Sequence, residues 1–187
     1  MIKGWYNPTT SPEKLLANYI STGKNKYLSL LVEQFNLSIY HYLLSQSNKE
    51  LAEDVVQTTW LKVMKSHSAS QQQSKPQSNV KSWLFTIARN TLIDEFRRQQ
   101  KWQSQLLDEN KMLTVNLEKS LQEADRLTQF NAALGQLPFL QREAFIFQQE
   151  GFSLNEIAEL TNDSFETVKS RLRYARNNLS HLLGTSS

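Results

Sequence analysis

Along every long segment of this chain, apolar residues recur at helical rather than alternating intervals, and that periodicity confines it to a narrow set of folds. Tyr27, Leu30, Leu31, Val32, Phe35, Ile39, Tyr40, Leu43 and Leu44 predict one long helix, ending near Ser45 to Asn48. Ser11-Pro12-Glu13, with proline at the first helical position, predicts a shorter helix running to about Ile20. Helix breakers are scarce, at 5 glycines and 4 prolines in 187 residues, and no segment reads as a strand. The expectation is an all-α fold.

A chain of 187 residues with 39% hydrophobic content suffices for one medium or two small packed cores. Two small helical domains joined by a flexible linker fit the pattern better. Residues 66–79, rich in serine and glutamine and containing Pro76, read as a loop inside the first domain. From Trp102 to about Asp125 the periodicity loosens, and it resumes at Leu127. The boundaries are therefore a first domain over residues 1–101, a linker over 102–125 and a second domain over 126–187. Fully extended, such a linker reaches about 80 Å, more than two turns of DNA at about 34 Å each.

Several function classes drop out. No apolar run approaches the roughly 20 residues that span a bilayer, and the amino terminus lacks the basic-then-apolar order of a secretory signal. A cytoplasmic protein without membrane contact is expected. The chain has no cysteine, which excludes disulfides and cysteine-ligated zinc, and His41, His67 and His181 lie near no carboxylate pair at ligand spacing. Neither a metal nor any other cofactor is expected. Glu53-Asp54 and Asp94-Glu95 are adjacent pairs that point in different directions on helices. With no glycine-rich phosphate loop, catalysis is not expected either.

The formal charge is only +3, but Lys169, Arg171, Arg173 and Arg176 follow one another without an intervening acid. At about 100° per residue, Phe165, Val168, Leu172, Ala175, Leu179, Leu182 and Leu183 share one side of a helix. Glu166, Lys169, Ser170, Arg173, Asn177 and Ser180 share the other, free to face a DNA groove. Just upstream, Ser153 and Glu156 form a capping-box pattern, and Ile157 and Leu160 offer apolar contacts. Ala158 is small enough for a steep helix crossing, Thr161 to Ser164 make the turn, and Asp163 or Ser164 caps the second helix. The pair reads as a helix-turn-helix.

Two more helices carry exposed patterns. In the segment from Leu51 to Met64, the apolar arc of Leu51, Ala52, Val55, Val56, Thr59, Trp60 and Val63 predicts core. Its opposite side sets Asp54, Gln57 and Leu61 in one mixed ridge suited to a protein partner. From Val80 to Lys101, Leu84, Phe85, Ala88, Leu92 and Phe96 face inward, while Trp83, Thr86, Asn90, Asp94, Arg97 and Lys101 line the far side. An aromatic ring, an amide and cations in one stripe suit unstacked bases and a phosphate backbone.

Five motifs in order, Asp54-Val55-Val56-Gln57, Trp83 to Asn90 with Asp94 and Arg97-Arg98, Leu137-Pro138 with Gln141-Arg142-Glu143, Glu156-Ile157-Ala158, and Thr167 to Leu172 with Ala175-Arg176, resemble extracytoplasmic-function sigma factors. The resemblance covers about residues 24 to 183. It implies that Asp54, Gln57, Thr58 and Leu61 dock on the β′ clamp helices of core RNA polymerase. It implies that Trp83, Thr86, Arg89, Asn90, Asp94, Arg97, Arg98 and Lys101 bind the melted strand of the promoter −10 element, with Asn90 at the base-reading position. It assigns duplex −35 binding to Ser164, Phe165, Glu166, Thr167, Lys169, Ser170, Arg171, Arg173 and Arg176. Residues near Leu137 to Gln149 would touch the polymerase β flap, and an anti-sigma factor is a common partner in the family. The family usually places a glycine and an apolar residue where Asn162 and Asp163 stand here, and Phe165 is the nearest apolar replacement. The competing reading is a stand-alone helix-turn-helix regulator with an amino-terminal domain that binds a partner or ligand; it requires tight binding to a DNA palindrome without polymerase.

Overall fold

The computed structural model describes residues 10–69, 79–106 and 125–184. Among these residues every regular element is a helix: α1 Pro12–Thr22, α2 Asn25–Gln46, α3 Lys49–Ala69, α4 Val80–Leu106, α5 Asp125–Gln136, α6 Phe139–Gln149, α7 Leu154–Thr161 and α8 Phe165–Leu182. None is long and apolar enough to cross a membrane.

Local chemistry sets the helix ends. Ser11 accepts from the Lys14 amide ahead of Pro12, and Gly23, at φ 64°, closes α1 by donating to the Tyr19 carbonyl. Asn48 caps α3 through the Leu51 amide at 2.9 Å, and Asn79 caps α4 through the Ser82 amide at 2.9 Å. The α3 helix runs past the expected stop at residue 66, and the expected loop over 70–78 lies outside the described residues. Likewise α4 extends to Leu106, into the start of the expected linker, of which 107–124 lie outside the described residues.

The first three long helices bury the stripes that their spacing requires. Leu28, Leu31, Phe35, Ile39, Tyr42 and Leu43 of α2 meet Ala52, Val55, Val56, Trp60 and Val63 of α3 and Val80, Leu84, Phe85, Ala88 and Leu92 of α4. Each fully buried leucine, valine or phenylalanine contributes about 1.5–3 kcal/mol relative to exposure. Trp60 sends its indole N–H to the Asn36 amide oxygen at 2.9 Å, so the ring is buried without an orphaned donor.

In the second half, α6, α7 and α8 pack mutually, and Val168, Leu172, Ala175 and Leu179 carry the inward face of α8. The α6–α7 turn needs φ 87° at residue 151, a conformation that glycine adopts without a Cβ penalty. A smaller cluster of Ala133, Leu134, Leu137, Ala175 and Leu179 ties α5 to α8.

The two halves also pack on one another. Phe147 of α6 stacks on Tyr42 of α2, with centroids 4.7 Å apart, and meets Phe85 of α4 edge-on at 6.0 Å. Phe152 completes the cluster 5.1 Å from Phe85, and Phe96 meets Phe139 at 6.0 Å. These contacts join the halves into one buried apolar cluster.

Candidate nucleic-acid interface

The ridge on α3 forms as its spacing predicts. Asp54 and Gln57 are exposed, Leu61 is 53% exposed, and Thr58 is half-buried beside them. Together with Glu95, Arg98 and Gln99 of α4 they border a shallow concavity of about 390 Å³. An exposed leucine flanked by an acid and an amide, next to a depression, gives a partner both an apolar anchor and an orienting polar pair.

On α4, Asn90 and Asp94 are exposed, and Trp83 and Thr86 are half-buried on the same side. Trp83 packs against the core while part of it stays accessible. The Thr86 hydroxyl donates to the Ser82 carbonyl at 2.9 Å, while the Asn90 amide stands at the surface. Arg97 lies 3.8 Å from Asp94, with side chains 76% and 63% exposed, so water screens that pair and the guanidinium can exchange to a phosphate. Arg98 pairs with Glu95 at 2.6 Å. Lys101 continues the helix, but its side chain lies outside the described residues.

Arg89 has a different environment from the rest of that stripe. Its side chain is 14% exposed and makes a two-pronged ion pair with the fully buried Glu143 of α6, at 2.9 and 3.1 Å. Tyr42 donates its hydroxyl to the same carboxylate at 2.9 Å, and burial together with that acid raises the phenol pKa well above its ordinary value.

On the second unit, Ser153 and Glu156 form the capping box, and hydrogen bonds from Ser153 hold the Glu156 carboxylate below its usual pKa. Asn162, at φ 56°, takes the left-handed conformation that closes α7. Ser164 caps α8, accepting from the Thr167 amide at 3.1 Å. Glu166, Lys169 and Arg173 are exposed, with Ser170 and Thr167 half-buried between them.

Four features of this helix depart from the sequence expectation. Phe165 does not fill the turn: it is 43% exposed. Asp163 occupies that neighbourhood through a two-pronged ion pair with Arg171, so Arg171 turns back toward the protein. Burial alone would raise the Asp163 pKa, but hydrogen bonds from Arg171 and Thr161 outweigh it and lower the pKa. Leu182, expected on the inward side, is also 41% exposed. Arg176 reaches Gln148 of α6 at 2.7 Å.

Tyr174 is absent from the expected DNA-facing residues, yet it stands 50% exposed with the Arg173 guanidinium 5.1 Å from its ring. The helical period carries the signal: residue 174 lies about 200° from Leu172 and about 100° from Ala175, off the buried stripe. An exposed aromatic beside a cation suits a sugar or base face.

Residues 31–102 match the family model for Sigma-70 region 2, and residues 127–179 match that for Sigma-70, region 4. The ECF RNA polymerase sigma factor EcfG of Rhodopseudomonas palustris (strain TIE-1) is 34% identical over 137 residues, 73% of each chain. The ECF RNA polymerase sigma factor SigX of Bacillus subtilis (strain 168) is 27% identical, over 75% of each. Among solved structures, the sigma factor RpoE in complex with the anti-sigma factor NepR from Bartonella quintana superposes with a TM-score of 0.70 at 30% identity, covering 87% of this chain and 99% of that one. CnrH in complex with the cytosolic domain of CnrY gives 0.66 at 23% identity, covering 95% and 100%, a likeness of fold.

Proposed function

The chain belongs to the extracytoplasmic-function family of RNA polymerase sigma factors, and from that premise we propose how its surfaces divide the work of starting transcription. It binds core RNA polymerase and promoter DNA and directs initiation. In our reading, residues 1–101 form the unit for core and −10 binding, 102–125 the linker, and 126–187 the −35 unit. The α3 ridge of Asp54, Gln57, Thr58 and Leu61 docks on the β′ clamp helices, and α6 approaches the β flap. The linker threads near the RNA exit path. The chain works in the cytoplasm and has no covalent chemistry of its own.

The single observation that carries the strand-opening role is the open face of α4, where Trp83, Asn90, Asp94 and Arg97 line up at the surface of a rigidly packed helix. Flipping a base from the stack costs a few kcal/mol, which stacking on Trp83 and edge contacts from Asn90 offset. On α8, Lys169 and Arg173 are the cations best placed to reach the −35 phosphates. An anti-sigma partner is proposed by analogy with the Bartonella relative.

Reconstitution tests the whole reading: the purified chain added to core polymerase should direct initiation to a defined promoter set, and random start sites would refute it. Lys169→Ala and Arg173→Ala should each reduce the slope of log affinity against log salt, for holoenzyme on a −35 fragment, by about one unit. Asn90→Ala should relax base preference at one −10 position by about 1–3 kcal/mol, read as open-complex formation on a set of single-base promoter variants.

A further inference from the structure

We propose that Tyr174 reads the C5 methyl group of a pyrimidine in the −35 element, so that α8 recognises thymine, or 5-methylcytosine, through an apolar contact in the major groove. The inference rests on the −35 role proposed for α8. Val168, Leu172, Ala175 and Leu179 carry the buried stripe of that helix, and the direction opposite it passes between Ser170 and Asn177. Arg173 and Tyr174 lie on either side of that direction, each about 50° from it. Tyr174 also follows Ser170 by four residues, so the two side chains are neighbours on the helix surface. A base within reach of Ser170 is therefore close to one within reach of Tyr174. The ring is 50% exposed, and the Arg173 guanidinium lies 5.1 Å from its centroid. That cation covers one face of the ring and leaves the rest to a ligand.

Chemistry narrows what that ligand is. The other exposed members of this side, Glu166, Lys169, Arg173 and Asn177, are polar or charged and match base edges and phosphates. A phenol ring offers mostly apolar surface. The apolar group that base pairs display in the major groove is the thymine C5 methyl, and cytosine methylated at C5 holds the same group in the same groove. Arg171, which the run of cations would add to this side, is held by Asp163, so fewer charges serve the interface than the sequence suggests. Phe165 cannot take the same methyl, since nine residues of helix turn it about 180° from Tyr174. Burying one methyl group corresponds to about a fourfold gain in affinity.

The test uses holoenzyme assembled from the full chain and core polymerase, with duplexes carrying the −35 element of a promoter fixed by start-site mapping. Each thymine is replaced in turn by deoxyuridine, which removes the C5 methyl and leaves base pairing intact, and each cytosine in turn by 5-methylcytosine. At one position, deoxyuridine should weaken binding, or 5-methylcytosine strengthen it, by about fourfold. The first result identifies thymine as the source of the methyl, and the second identifies methylated cytosine. Tyr174→Ala, at an exposed position, should keep native helicity and abolish that difference, whereas Tyr174→Phe and Phe165→Ala should each retain it. Binding by the parent that is indifferent to every methyl substitution would overturn the proposal, whatever the variants do. So would methyl dependence that persists in Tyr174→Ala, or Tyr174→Phe behaving as alanine does, since the latter marks a hydroxyl contact to a phosphate. The −35 role of α8 is judged separately, by the parent's preference for the −35 duplex over a scrambled one. Without that preference both readings fall; with it, a flat methyl scan removes the role of Tyr174 alone.

Discussion

Phe147→Ala should destabilise the chain by about 3–5 kcal/mol. Phe147 is fully buried and touches three other rings: Tyr42 at 4.7 Å, Phe152 at 5.7 Å and Phe85 at 6.0 Å. Alanine there removes the transfer free energy of a whole ring. It also leaves a cavity that helices from both halves would have to collapse into, and rigid neighbours relax only partly. The contacts with Tyr42 and Phe85 cross between the halves, so the loss should appear in their coupling as well as in local stability. Urea unfolding followed by far-UV circular dichroism reads the effect, and the parent's transition should shift to a lower midpoint. Leu140→Ala on the same helix, at a residue 41% exposed, is the control and should stay within about 0.5 kcal/mol. A loss below about 1 kcal/mol for Phe147→Ala would mean that this ring does not organise the core as its burial implies.

The helices are legible in the sequence because periodicity is a local property. The arcs on α3 and α4 can be read residue by residue, and those positions are buried, apart from Leu51 and Phe96, which are half-buried. Helix ends are less legible. The stretch from Gln99 to Leu106 has little apolar period, yet it is rich in glutamine with lysine and leucine, residues that favour helix without needing a core. The site is legible where a side chain acts alone, as Asn90 and Asp54 do. It is illegible where two distant residues choose each other. Arg89 and Glu143 lie 54 positions apart, and neither looks unusual on its own helix. Arg171 and Asp163 lie eight apart, so they straddle the turn and do not share a helical face. A run of cations therefore reads as one DNA-facing surface, although Arg171 faces inward and Arg176 is bonded to α6. Charge counts overestimate a binding face whenever acids elsewhere in the fold claim some of its members.

Asp54→Arg combined with Gln57→Ala should weaken binding to core polymerase by about a hundredfold, the scale of setting a like charge against a complementary surface. The ridge is suited to show such an effect. Asp54 and Gln57 are exposed, and among the described residues the ion pair on α3 is that of Lys49 with Glu53, so changing them leaves the fold's own contacts in place. The inward face of α3, with Ala52, Val55, Thr59 and Val63 almost fully buried, continues to hold the helix in place. Lys49→Ala, on the same helix but outside the ridge, is the matched control and should leave core affinity unaltered. Titrating labelled chain with core enzyme at two salt concentrations separates the contributions. The Asp54 charge should govern the association rate and its salt dependence, whereas Leu61→Ala should act mainly on dissociation, because an apolar anchor gains nothing until it is desolvated. Native helicity with core affinity within about threefold of the parent would move the polymerase contact off α3, and the concavity bordered by Glu95 and Arg98 would lose its proposed occupant.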